Sequence, residues 1–314
     1  TKPVQKLNRA SFERLANLLH GIGNNNIPMV HNLAYLLKAI ETQSDDIGML
    51  TVIFGCVEKW AVNNSNMLKM AENNAVVIVA RAIHKAVSSH DPAKIQRVLV
   101  SCALIIGRLS SVSELKDGIM ESNAIQLLMH ATWTQIAHKQ LVKECIIAFG
   151  NFAFDNDAGV KAMVQQGVIK LVEKVLQTYP DQNRLMELTL VTLSNLMYGN
   201  DVVKKDLGLT CGDEIVDVVK RIDGSKVQKA AMRALGNLAS IDENIQWILK
   251  NKGAEVIVST IKKLEKDKEV VQTAIEVLGN LASIEDPEHE MSCHRMMLEQ
   301  GCSKCLLGIL RNCT

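Results

Sequence analysis

The residues of this chain that could bind a metal ion gather near its C-terminus. Thiols and an imidazole, which are good zinc ligands, cluster there: Cys293, His294, Cys302, Cys305 and Cys313. The Cys302-Ser303-Lys304-Cys305 spacing occurs in zinc sites, although one such pair is not specific for zinc. Aligning Gly301 with the earlier Gly253 instead gives both cysteines ordinary apolar helix positions. We therefore expect neither a metal ion nor a cofactor.

The other cysteines indicate the compartment rather than a reaction. Cys102 and Cys145 lie inside apolar runs, where a free thiol behaves as a small hydrophobic side chain. Free buried cysteines are typical of reducing compartments. We expect a cytoplasmic protein, with any association with the cytoskeleton or a membrane made through a partner.

The histidines do not complete a catalytic site. They are spread along the chain and do not recur beside a nucleophile at an equivalent position: His20, His31, His84, His90, His130, His138, His289 and His294. The sequence also lacks the nucleophile elbow, the phosphate-binding loop, the dinucleotide fingerprint and the zinc metalloprotease motif. We expect no enzymatic activity.

Asparagine is the polar residue that recurs with a period. Four apolar stretches end on nearly the same tetrapeptide: Gly150-Asn151-Phe152-Ala153, Ser194-Asn195-Leu196-Met197, Gly236-Asn237-Leu238-Ala239 and Gly279-Asn280-Leu281-Ala282. The asparagines are 44, 42 and 43 residues apart. This period is too regular for chance and too long for one helix or strand, so it indicates a repeated supersecondary unit and a solenoid.

A second marker follows the same period. A Gly or Asn separates two apolar stretches in each repeat: Asn74, Asn123, Gly167, Gly212, Gly253 and Gly301. Both residue types tolerate the left-handed backbone that a turn between two helices requires. We therefore expect a short helix to end, and a longer one to begin, at each of these positions.

The two markers divide a single predicted domain, residues 1–314, into repeats. These are an irregular 11–60, then 61–110, 111–154, 155–198, 199–240 and 241–283, and a partial 284–314 that supplies two helices. Helices are predicted over 140–154, 158–165 and 168–177. Apolar residues three and four apart, such as Leu141, Cys145 and Ala148, predict helices with one buried stripe. The predicted fold class is therefore all-α.

Composition excludes several kinds of partner. The 35 Lys and Arg residues nearly balance the 34 Asp and Glu residues, so no overall field recruits nucleic acid or a membrane surface. The longest apolar stretches, 98–107 and 75–83, are shorter than the roughly 18 residues of a spanning helix. We expect a soluble protein without a transmembrane segment, and binding to nucleic acid is not expected.

These repeats resemble the armadillo family. The resemblance rests on the three-helix unit of about 42 residues, the glycine between its first two helices and the Gly-Asn-Leu-Ala ending of the third. It covers residues 61–314 well and 11–60 weakly. HEAT repeats are the nearest alternative, but they are two-helix units without that ending. The resemblance implies a right-handed α-solenoid of about six three-helix repeats with partial terminal repeats.

The resemblance also implies a use for the asparagines. In armadillo proteins the terminal asparagine of each third helix faces a concave groove, where its amide can hold an extended peptide because it offers both a donor and an acceptor. The positions carried over, here called the asparagine ladder, are Asn151, Asn195, Asn237 and Asn280, with Arg108 and Cys56 in the matching places of the first two units. The alternative is that each asparagine only caps or ties down the end of its repeat.

Further groove residues lie one and two turns before each asparagine. They are Glu144 and Ile147, Leu188 and Val191, Ala230 and Arg233, and Thr273 and Glu276. Nuclear-import adaptors of the family have Trp one turn before the asparagine, and no Trp occupies those places here, so a basic import signal is not the expected cargo. An apolar middle with the mixed charges of Arg108, Glu144, Arg233 and Glu276 suits an extended or helical protein segment.

The sequence therefore predicts a non-catalytic scaffold or adaptor that binds a segment of another protein in its concave groove. The alternative function is a regulator or chaperone-like factor that grips a folded GTPase, ATPase or motor protein. That alternative requires a charged contact patch and a partner whose activity responds to binding.

Overall fold

The structure of the protein, a computed structural model, describes residues 37–40, 47–88, 92–222, 224–284 and 289–312. All regular elements in these ranges are helical and no β-strand occurs there, which confirms the all-α prediction. Of the irregular first unit, residues 11–36 and 41–46 lie outside the described residues. The chain divides into two compact units, Thr1–Gly159 and Val160–Thr314, called here the N-terminal and C-terminal units.

After the helical residues 37–40, seven helices and one 3₁₀ turn follow in the described part of the N-terminal unit. They are α1 (Ile47–Trp60), α2 (Asn64–Glu72), α3 (Ala75–Val87), α4 (Pro92–Leu109), the 3₁₀ turn Ser113–Leu115, α5 (Lys116–Glu121), α6 (Ala124–Thr134) and α7 (Lys139–Ala153). The third helices of successive repeats, α1, α4 and α7, pack on one another in that order, and the second helices α3 and α6 also pack together. The repeats are therefore stacked helix upon equivalent helix.

The C-terminal unit has the same organisation. After α8 (Asp157–Gln165), which spans the boundary, come α9 (Val168–Thr178), α10 (Asn183–Met197), α11 (Asp201–Arg221), α12 (Ser225–Leu238), α13 (Asp242–Lys250), α14 (Gly253–Lys263), α15 (Lys268–Ala282), α16 (Glu290–Glu299) and α17 (Cys302–Asn312). The third helices α10, α12 and α15 pack in sequence, and so do α9, α11, α14 and α17.

Helix α7 illustrates how its own sequence determines where a third helix begins, what it buries and where it ends. The His138 imidazole accepts a hydrogen bond from the Leu141 N–H at 3.1 Å and so caps the first turn. A stripe that includes Cys145 and Ala148 is fully buried. The helix ends before Asp155, whose left-handed φ of 50° reverses the chain. Its bounds differ by one residue from the predicted 140–154.

The longest apolar run of the chain lies in α4 and belongs to the core. Leu99, Cys102 and Ile105 are fully buried. No single helix among the described residues is long and apolar enough to cross a membrane. Residues 95–109 and 113–121, which meet at 119°, pass the same test of length and composition only when they are taken together.

The Gly and Asn markers serve two different purposes. Asn74, Asn123, Gly167 and Gly301 have the expected left-handed backbone, with φ between 58° and 86°. In the repeat that contains Gly253, the left-handed residue is instead Lys252, at φ 61°. Gly253 is needed because a Cβ there would lie 2.8 Å from the Ile248 carbonyl oxygen.

The predicted break at Gly212 is wrong. Helix α11 runs through it without interruption for 21 residues. A Cβ on Gly212 would lie 2.7 Å from the Trp247 ring, and one on Gly208 would lie 2.0 Å from the Asn244 side-chain oxygen. Both glycines therefore permit the close approach of α13 to α11, and neither ends a helix. In this repeat one continuous helix takes the place of the first two.

Candidate partner-binding surface

Three of the four ladder asparagines, Asn151, Asn237 and Asn280, tie their third helix to the third helix of the preceding repeat. The side-chain amide donates to the backbone carbonyl of Gly107 from Asn151 (2.8 Å), of Ser194 from Asn237 (3.3 Å) and of Gly236 from Asn280 (3.1 Å). Each accepting carbonyl lies one residue before the previous ladder position. The alternative role considered from the sequence was that each asparagine caps or ties down the end of its own repeat. These hydrogen bonds run instead to the preceding repeat.

Arg108 makes the same kind of tie with a longer side chain. Its guanidinium donates to the Glu58 carbonyl of α1 at 2.5 Å. An arginine can therefore substitute for asparagine at a ladder position because it also donates to a backbone carbonyl. The side chain of Cys56, the first ladder position, lies outside the described residues.

The hydrogen bond to the preceding repeat uses the NH2 group of the asparagine and not its side-chain oxygen. Within the part of the chain that the structure describes, the side-chain oxygens of Asn151, Asn237 and Asn280 accept no hydrogen bond. Asn151 and Asn237 are half-buried and Asn280 is exposed. Each side chain therefore keeps an acceptor for a backbone N–H of a bound segment while its amide group holds the repeats together.

The predicted groove residues of the C-terminal unit form a row across three packed helices. Val191 of α10 is 40% exposed, and Arg233 of α12 and Glu276 of α15 are also exposed. Glu276 accepts a hydrogen bond from Gln272 at 3.1 Å, whereas Arg233 has no ion pair among the described residues. The row thus offers an apolar side chain, a cation and an anion on successive third helices.

Helix α12 gives the middle of this surface a positive charge. Its outward stripe carries Lys226, Lys229 and Arg233, and the helix contains no acidic residue. Lys229 pairs with Glu269 at the start of α15. The unpaired cation at the centre of the row is therefore Arg233.

The neighbouring ends of α12 and α15 are also joined. The Ser225 hydroxyl donates to Asp267, which in turn caps α15 by accepting from the Val270 N–H at 3.2 Å. These hydrogen bonds, chiefly the one from Ser225, lower the pKa of the Asp267 carboxyl below its usual value. The start of α15 is thereby held against α12.

Glu144 differs from the other predicted groove residues. It is only 6% exposed, accepts a hydrogen bond from Gln140 at 2.7 Å and pairs with Lys143 at 3.0 Å. Its carboxylate is therefore engaged by its own helix. Ile147, one turn later, is half-buried, so α7 presents little charge at these positions.

Sequence reasoning missed two exposed aromatic residues at the ends of third helices. Phe154 follows Asn151 by three residues and is 65% exposed, and Tyr198 follows Asn195 by three and is 76% exposed. The signal was present in the sequence, because an aromatic recurs at one repeat position in two consecutive units. The later repeats have Ser240 and Ser283 there.

Three of the C-terminal cysteines lie in the core, and Cys313 lies outside the described residues. Cys293, Cys302 and Cys305 are buried and free, and His294 Nε2 lies 3.1 Å from the Ala282 carbonyl oxygen. Among the described residues no three His, Cys, Asp or Glu side chains are placed to bind a metal ion. Burial raises the pKa of the Cys302 and Cys305 thiols, as expected for apolar positions in a helix.

We expect the six thiols that the structure shows as buried to be unreactive in the folded protein. They are Cys102, Cys145, Cys211, Cys293, Cys302 and Cys305. Burial raises the pKa of the Cys145 thiol to about 12, so it stays protonated at pH 9, where an exposed thiol with a pKa of about 8.5 is mostly thiolate. A thiol reagent at pH 9 should modify these six only after unfolding in urea. Modification of all six before unfolding, or one zinc ion per chain by elemental analysis, would contradict this.

Comparison with known proteins identifies the family and the fold. The sequence model of the family described as the GAC ARM domain matches residues 25–300. No curated protein sequence matches this chain. An engineered protein of known structure is similar with a TM-score of 0.69 and 23% identity, over 82% of this chain and 98% of its own.

Two designed armadillo repeat proteins are also similar. One has a TM-score of 0.67 and 18% identity, over 79% of this chain and 99% of its own. The other, whose structure holds the peptide (KR)4, has a TM-score of 0.65 and 18% identity over the same shares of 79% and 99%. At these identities the likeness shows the fold alone, and it confirms the predicted armadillo-type α-solenoid.

Proposed function

We propose that this chain, which belongs to the family described as the GAC ARM domain, is a non-catalytic scaffold that binds a segment of another protein along the third helices of its C-terminal unit. Armadillo folds offer such surfaces, and the designed neighbour described above holds a peptide. The observation that supports this use here is the row formed by Val191, Arg233 and Glu276.

The row suits a segment of mixed character. An apolar side chain of the partner would cover Val191, a carboxylate would pair with Arg233, and a cation would pair with Glu276. The side-chain oxygens of Asn237 and Asn280 would accept backbone N–H groups from the same segment. Because this surface carries both signs of charge and no tryptophan one turn before the asparagines, a uniformly basic import signal is not the proposed partner.

The proposal also covers location and chemistry. Free buried thiols such as Cys102 and Cys145 suit a reducing compartment, so we place the protein in the cytoplasm. We assign it no catalytic activity and no cofactor. The alternative hypothesis is still that this protein is a regulator or chaperone-like factor that binds a folded GTPase, ATPase or motor protein.

Selection of peptides from a random display library on the folded chain tests the proposal. The selected peptides should bind the Val191→Ala/Arg233→Ala variant about tenfold more weakly, because an apolar contact and a charge pair are lost. These two exposed positions are preferable to the asparagines, whose replacement would also remove a tie between repeats. Fluorescence anisotropy gives the affinities.

The matched control is Lys262→Ala/Lys266→Ala, which changes two exposed cations outside the third helices. It should leave the affinity of the selected peptides unaltered. Peptides that lose affinity with this control and keep it with Val191→Ala/Arg233→Ala would show that the third-helix row is not the binding surface.

A further inference from the structure

Helix α11 presents a long outward face that the proposed peptide site does not use. Its 21 uninterrupted residues extend over about 31 Å at 1.5 Å per residue. An adjoining side is held against α13, where Gly208 and Gly212 admit Asn244 and Trp247. The outward face is therefore carried by a helix that is anchored and more than twice as long as a first helix such as α13.

Two large apolar side chains lie on this face in full view of solvent. Val202 is 71% exposed and Leu209 is 78% exposed. They are seven residues apart, which puts them on the same side of the helix, two turns from each other. An isolated exposed apolar residue is ordinary, but a heptad-spaced pair on one helix is the pattern by which helices pair with helices.

Unpaired carboxylates share the stripe with the apolar pair. Asp206 lies four residues after Val202, Asp213 lies four residues after Leu209, and both are exposed with no ion pair among the described residues. The lysines of α11 are engaged elsewhere. Lys204 pairs with Asp201, Lys205 with Glu243 and Lys220 with Asp217.

The surroundings of the stripe are acidic as well. Glu214, on the side of α11 that faces α9, accepts a hydrogen bond from Gln177 at 2.9 Å, and Glu173 of α9 is bonded to the same amide at 3.1 Å. No cation among the described residues neutralises Asp206 or Asp213. The face therefore combines an apolar seam with a net negative charge.

The geometry points to this stripe as a docking site for an amphipathic helix of another protein that carries Lys or Arg beside a heptad-spaced apolar seam. Leucine or isoleucine knobs would pack against Val202 and Leu209, and the basic side chains would pair with Asp206 and Asp213. A second copy of this chain would bring its own Asp206 and Asp213 to the same seam, where like charges repel. An anionic membrane surface is disfavoured for the same reason.

A synthetic peptide tests the inference directly. The probe is a helix of about 20 residues with leucine in heptad spacing and lysine at the flanking positions, and its partner probe has glutamate in place of every lysine. The full chain should bind the lysine peptide and not the glutamate peptide, as measured by fluorescence anisotropy. Replacing Val202→Ser and Leu209→Ser together should weaken binding at least about tenfold, because the apolar seam is lost.

Reversing the charge of Asp206 and Asp213 tests whether they pair with basic side chains of the bound helix. The Asp206→Lys/Asp213→Lys variant should lose the lysine peptide and acquire affinity for the glutamate peptide. The control variant Leu307→Ser/Leu310→Ser removes a comparable exposed pair, 54% and 63% exposed, from α17 and should bind the lysine peptide normally. The groove variant Val191→Ala/Arg233→Ala should also bind it normally, which separates this site from the proposed peptide groove.

Several outcomes would overturn the inference. They are no binding of the lysine peptide, equal binding of both probes, or equal loss with the α17 control. Sedimentation that shows a dimer in the wild-type chain and a monomer in Val202→Ser/Leu209→Ser would assign the seam to a second copy instead. Circular dichroism of each variant verifies that the helices are intact, as expected for side chains exposed to this degree.

Discussion

Replacing Gly208 with alanine should lower the free energy of unfolding by about 1–3 kcal/mol, in the range of an overpacked core. In an ordinary helix the same replacement is stabilising by about 0.5–1 kcal/mol, because alanine loses less backbone entropy than glycine. At Gly208 the added Cβ would lie 2.0 Å from the Asn244 side-chain oxygen and 2.5 Å from its Cγ. The clash therefore reverses the sign of the effect.

Asn244 has little freedom to move away from that methyl group. It is 3% exposed, and its amide donates to the carbonyls of Lys204 at 3.0 Å and Leu238 at 3.2 Å. Any shift that relieves the clash breaks hydrogen bonds that join α11, α12 and α13, and it takes the buried Asn244 amide away from its acceptors. The cost is therefore a loss of both packing and hydrogen bonding.

Gly279→Ala is the matched control for this prediction. Gly279 lies inside α15, and a Cβ there would meet nothing within 4 Å. This variant should gain about 0.5–1 kcal/mol, and urea unfolding followed by circular dichroism measures both changes. If Gly208→Ala gained stability to the same extent as Gly279→Ala, the close approach of α13 to α11 would be refuted.

The ends of the three helices with predicted bounds lie within one residue of the prediction, because local signals determine them. The stripe of apolar residues and the left-handed Gly167 fixed α9 at Val168–Thr178, one residue longer than the predicted 168–177. The third helix α7 was predicted with the same accuracy. In both cases the residues that end the helix lie within one turn of its end, where a single sequence contains the information.

Gly212 could not be interpreted in the same way. In the sequence it has the period and the neighbours of a junction glycine, but its function is to admit Trp247, which lies 35 residues later. A glycine chosen for its backbone angle and one chosen for its lack of a Cβ look identical in a sequence. Only the packing of α13 on α11 distinguishes them, and that contact is made between different repeats.

The candidate site was predictable to a similar extent. The period located the ladder asparagines, but the carbonyl that each one binds depends on how the repeats stack, so Gly107 and Gly236 could not be named in advance. The sequence pattern also did not predict which of the assigned side chains are exposed to solvent. Glu144 and Arg233 were both assigned to the groove. Glu144 is buried and bonded to side chains of its own helix, whereas Arg233 is exposed to solvent.

Replacing Gln228 with leucine should lower the free energy of unfolding by about 2–4 kcal/mol, the cost of removing the side-chain donor from two buried acceptors. Gln228 of α12 is 2% exposed, and its amide donates to the carbonyls of Val219, at 2.7 Å, and Ile222 at the end of α11. The last carbonyls of a helix have no partner within the helix. Leucine has a similar size but offers no donor, so both carbonyls would lose the hydrogen bond from this side chain.

The control for Gln228 is Gln272→Leu, which removes a glutamine that is exposed on α15 and donates, among the described residues, only to Glu276 at 3.1 Å. Solvent can replace that bond, so the free energy of unfolding should change by less than about 0.5 kcal/mol. Urea unfolding of the two variants under the same conditions measures the difference. Equal effects would mean that solvent reaches the end of α11, and that the long helix is not held there by the repeat that follows it.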